Sequence, residues 1–77
     1  MVAVRLEQIL RILELTDSLN IHREAVIIPL NAEKEGDLTL LPDGRLRIHC
    51  PETRFEEWLI EIRGQLEKID LSRIVRH

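Results

Sequence analysis

The sequence predicts an α+β fold in the order α-β-β-β-α: a three-stranded antiparallel sheet with two helices packed on one face. Three observations carry that expectation. Residues 37–50 form two alternating segments around Pro42-Asp43-Gly44, the signature of a hairpin. Residues 53–69 place Phe55, Trp58, Leu59, Ile62, Leu66 and Ile69 on one helical face. Residues 4–19 are apolar at helical spacing at the other end of the chain.

The first helix, 4–19, carries two apolar stripes. Leu6, Ile9, Leu10 and Leu13 form one, and Ile12, Leu15 and Leu19 form a second, displaced by roughly 100° or more on a wheel of 3.6 residues per turn. Glu7, Arg11, Glu14 and Ser18 share the remaining arc. One stripe can cover the sheet, and the other needs a further partner, either helix 53–69 or a second copy of the chain. Asp17, Ser18 and Asn20 end the helix.

Glu24 to Leu30 reads as a strand with Val26, Ile28 and Leu30 on one face. Pro29 cannot donate to a ladder, so this is an edge strand or it stops there. The hairpin admits two registers. A two-residue Asp43-Gly44 loop would set Leu38 and Leu40 beside Arg45 and Arg47. A type I turn over Pro42-Asp43 with Gly44 as a bulge pairs Leu41 with Arg45, and gathers Leu38, Leu40, Leu46, Ile48 and Cys50 on one face. A slip of one residue flips a whole strand, so the apolar face selects the second register. Thr39, Leu41, Arg45, Arg47 and His49 then take the opposite face. Pro51 stops the strand, and Thr53 with Glu56 is the pattern of a capping box for the second helix. Gly64 inside that helix marks either a close backbone approach or an uncompensated cost of about 1 kcal/mol. Leu71, Ile74 and Val75 are too apolar for an idle tail and are expected to dock.

Size bounds the rest. Residues 1–77 are expected to form a single domain, and chains this short bury only about 60% of their unfolded surface. The apolar supply is aliphatic, with 13 Leu and 10 Ile against one Trp and one Phe. One cysteine excludes an intramolecular disulfide and suits a reducing, cytoplasmic setting. The longest apolar run is Ala25 to Ile28, too short for a membrane span. The N-terminus lacks the pattern of a signal peptide.

The chemistry-bearing residues are sparse. His22 and Glu24 would share one side of a strand, whereas His49 and Cys50 would point to opposite faces, and no Cys/His spacing suggests zinc. The glycines are isolated at 36, 44 and 64, so there is no phosphate-cradling loop. Glu56, Glu57, Glu61 and Glu67 read as a solvated helix surface. No catalytic residue, metal or cofactor is therefore expected, and the chain is not read as an enzyme. Arg45, Arg47 and His49 form a basic stripe that could meet an acidic ligand or nucleic acid. The net charge of -3 and the absence of aromatic residues on that face disfavour nucleic acid. Double-stranded RNA-binding domains share the helix–three strands–helix order, but here Glu52, Glu56 and Glu57 stand where such a domain carries Gly and Lys. The expected function is a non-catalytic protein–protein interaction domain, homodimeric through Ile12, Leu15 and Leu19. Acidic-ligand binding at Arg45, Arg47 and His49 is the alternative.

Overall fold

The computed structural model describes residues 2–74. Its elements follow the order α1 (Leu6–Ser18), β1 (Val26–Ile27), β2 (Asp37–Leu40), β3 (Leu46–His49) and α2 (Phe55–Lys68), with 3₁₀ turns at Arg23–Ala25 and Leu71–Arg73. The α+β architecture matches the sequence expectation, with one correction. The sheet is mixed: β3 is central, antiparallel to β2 and parallel to β1. Apolar alternation specifies which face is buried but not a strand's neighbour or direction. Here residues 28–36 cross the end of β3, bridging Asn31 to Ala3 and Glu33 to Pro51, and so deliver β2 to the far edge.

The hairpin register is the bulged one. Leu38 pairs with Ile48, Thr39 with Arg47 and Leu40 with Leu46. The Leu41 amide donates to the Arg45 carbonyl at 2.8 Å, and the Gly44 amide to the Leu41 carbonyl at 3.0 Å. Gly44 has φ +89°, the left-handed conformation that this turn demands and a side chain resists. Leu46, Ile48 and Cys50 are consequently fully buried. Leu38, Leu40, Val26 and Ile28 pack on the same core as the buried faces of both helices, whereas Ile27 and Leu41 are not part of it. Both helices thus lie on one side of the sheet.

α2 follows its predicted stripe, with Trp58, Ile62 and Leu66 buried and Phe55, Leu59 and Ile69 packed on the core. Its predicted cap does not form. The residue before the helix is Arg54 in place of Thr53; it is left-handed at φ 59° with no side-chain cap, and the Glu56 carboxylate accepts from Arg11 of α1 at 2.7 and 2.8 Å. Gly64 is exposed, and a Cβ there would meet nothing within 4 Å. Gly64→Ala is therefore expected to stabilise the fold by about 1 kcal/mol, raising Tm by about 4–8 °C in a thermal melt.

α1 reverses the expected roles of its stripes. Ile12 (0% exposed) and Leu15 (9%) lie in the chain's own core, and Leu19 packs against it half-buried. Leu6 (70%) and Leu10 (46%) face solvent. Thr16 lies on the same arc as Ile12 and Leu19 and is fully buried, its hydroxyl bonded to the Leu13 carbonyl at 3.0 Å. With its polar group satisfied locally, Thr16 joins those residues into one continuous buried arc. The helix ends in a Schellman pair: the Ile21 amide donates to the Thr16 carbonyl at 2.9 Å and Asn20 takes φ 62°.

β1 is shorter than the predicted 24–30 strand. Residues 23–25 form a 3₁₀ turn instead, so His22 and Glu24 do not share a strand face. The ladder ends before Pro29, and Leu30, grouped by the sequence with Val26 and Ile28, is 67% exposed. Its carbonyl accepts from the Val4 amide at 2.9 Å as the N-terminal segment pairs alongside. Ile74 docks as expected (6% exposed). Val75, His77 and the side chain of Leu71 lie outside the described residues.

Candidate functional site

The bulged turn puts Arg45, Arg47 and His49 on the sheet face away from the helices, in the company predicted for them. Around Arg47, the ladder aligns Ile27 of β1 and Thr39 of β2 on either side. Asp37 pairs with His49 at the next step and accepts from the Thr39 hydroxyl at 3.0 Å.

The three basic side chains differ in what they meet. Arg45 is exposed and its Nε is 3.8 Å from an Asp43 carboxylate oxygen. Arg47 is half-buried, and its Nε is shielded from solvent without a hydrogen-bond partner. The His49 side chain is 15% exposed; its Nε2 is 3.8 Å from Glu33 Oε1, and its Nδ1 is buried with no partner. Sequence reasoning found these three residues. Glu33 was missed, because its approach depends on the loop crossing the end of β3, which no local pattern encodes.

A second feature lies between the N-terminal ends of the helices. A groove of about 410 Å³ is bounded by Gln8, Leu10 and Arg11 of α1 and by Phe55 and Glu56 of α2. Hydrogen bonding from Arg11 holds the Glu56 carboxyl below the usual carboxylate range. Both groups are exposed, so this clasp orients the two helices more than it stabilises them. Arg54 likewise holds Glu57 low, and Arg63 meets Glu67 at 3.2 Å. The residues offered as a partner face, Ile12, Leu15 and Leu19, do not line this groove, since the core takes them.

Cys50 faces the core, opposite His49. Burial pushes its thiol up to about 11, so it remains a protonated, small apolar side chain at neutral pH. Among the described residues no three of His, Cys, Asp and Glu come together in a metal-ligating arrangement. No described helix is long and apolar enough to cross a membrane. The fold and its surface define a small two-layer α+β domain with an open-faced sheet. No protein-family model matches the sequence, and the comparisons with curated proteins and with solved structures found no match.

Proposed function

We propose that this chain is a non-catalytic, cytoplasmic protein-interaction domain that forms a homodimer through the outer stripe of α1. The observation that carries the reading is the exposure of Leu6 (70%) and Leu10 (46%) beside the groove that Leu10 shares with Phe55. Protruding leucines next to a partly apolar concavity are what a two-fold contact needs, because the same patch must serve as both knob and socket. The charges around it are of both signs, Arg5, Glu7, Arg11, Glu14 and Glu56, so a second copy can match them with itself. The motive is the one that the sequence supplied: a short, unstapled aliphatic chain gains by covering apolar surface. The residues that serve it are Leu6 and Leu10, in place of Ile12, Leu15 and Leu19.

Light scattering coupled to size exclusion at high concentration tests this. The wild-type chain is expected at twice its 9.0 kDa mass, and the Leu6→Ser/Leu10→Ser double variant as a folded monomer. A wild-type chain that stays monomeric ends the dimer reading.

A further inference from the structure

We propose that the outer edge of β2 takes up an antiparallel strand from a partner protein, an extended segment with apolar residues at alternate positions and a basic residue at its C-terminal end. The sheet order puts β2 at an edge, with β3 on its inner side only. Along an antiparallel pair, successive residues point their backbone groups alternately toward the neighbour and away from it. The Leu41 amide donates to the Arg45 carbonyl, so Thr39 and Asp37 are the residues that exchange bonds with Arg47 and His49. The N–H and C=O of Leu38 and Leu40 therefore point outward. Among the described residues no turn, loop or cap bond reaches them. Native sheet edges are usually blunted by a lysine, a proline, a bulge or shortness. β1 at the other edge follows that rule, with two residues and Pro29 close behind. β2 spans four residues, and Leu38-Thr39-Leu40 carries none of those devices.

The side chains along the edge select the ligand. Leu38 and Leu40 pack on the core yet are only half-buried, so a strand added there gains by setting an apolar residue opposite each. Side chains alternate along a strand, which puts those two residues two apart in the partner. Thr39, on the open face between them, takes a polar neighbour. Asp37 is exposed and accepts from the Thr39 hydroxyl at 3.0 Å, and no ion pair among the described residues includes it. Glu33 adds a second carboxylate nearby, 3.8 Å from Nε2 of His49, the cross-strand partner of Asp37. A basic side chain opposite Asp37 therefore complements the charge of this edge. In an antiparallel partner that position follows the two apolar ones, which fixes the direction of the segment. A second copy of β2 is a poorer occupant. With Leu38 set opposite Leu40 of the copy, Asp37 would meet Leu41 and gain no cation.

β2 holds none of the leucines of the α1 stripe, so the test is independent of the dimer mass. The intact ¹⁵N-labelled chain is titrated with the capped peptide acetyl-Thr-Val-Thr-Val-Lys-amide, following the backbone amides of Leu38 and Leu40. Saturable shifts are expected at both, with slower hydrogen exchange as their N–H groups gain acceptors. Methylating the two Val nitrogens of the peptide removes the donors aimed at β2 and is expected to weaken binding about ten-fold or more. Methylating the Thr nitrogen between them, which points away from β2, is expected to leave affinity within about two-fold. Asp37→Asn is expected to weaken binding about two-fold or more, with Trp58 fluorescence confirming that the variant folds. Any of four results overturns the proposal: no saturable shift at Leu38 and Leu40, equal affinity for the Val-methylated peptide, undiminished affinity in Asp37→Asn, or the same shifts on concentrating the chain alone, which would give the edge to a second copy.

Discussion

Ile48→Ala is expected to cost about 2–5 kcal/mol and to lower Tm by about 10 °C or more, as read by urea and thermal unfolding followed at Trp58. Ile48 is 0% exposed on the central strand, in one core with the buried sides of both helices, so truncating it leaves a cavity there. Total stability for a domain of this length is about 4–12 kcal/mol, so the loss leaves a marginal protein. Arg47→Ala, one residue away on the same strand, is expected to change stability by less than about 1 kcal/mol, because its side chain is on the open face. The contrast tests the bulged register. Had the strand slipped by one residue, the sensitivities of the two positions would exchange.

Gly36→Ala is expected to cost about 2–5 kcal/mol, while Glu35→Ala stays within about 0.5 kcal/mol. Two effects act together at Gly36. Its φ of +72° is left-handed, which a side chain resists by about 1–2 kcal/mol. A Cβ there would also collide with the Trp58 indole and lie 2.9 Å from the His49 carbonyl oxygen, so the overpacking adds about 1–3 kcal/mol. Chemical denaturation compares the two variants directly. A loss below about 1 kcal/mol for Gly36→Ala would show that the loop moves away from Trp58 at little cost.

Much of this fold was legible, and the reasons are local. The hairpin register follows from Gly44 at the turn and from five side chains, Leu38, Leu40, Leu46, Ile48 and Cys50, that only one pairing puts together. α2 was legible from its periodicity, and Arg45, Arg47 and His49 were placed on a common face by the same alternation. The capping box does not form because the helix starts at Phe55 after a left-handed Arg54, one residue past the position Thr53 would cap, and Glu56 accepts from Arg11 of α1. The 24–30 strand was overextended because apolar residues before a proline look alike whether they continue a ladder or leave it. The significance of Gly36 was not readable at all, since the indole that crowds it comes from 22 residues further on.

By itself the sequence determined the element order, the buried face of the hairpin and the buried face of α2, because each rests on a period of two or 3.6 among near neighbours. Only the tertiary structure decided that β1 runs parallel to β3, and that Ile12 and Leu15 are covered while Leu6 and Leu10 are not. Those outcomes depend on which surfaces meet across the chain. A helix with two apolar arcs satisfies its periodicity with either one inward, and here packing against the sheet and α2 puts Ile12 and Leu15 in the core.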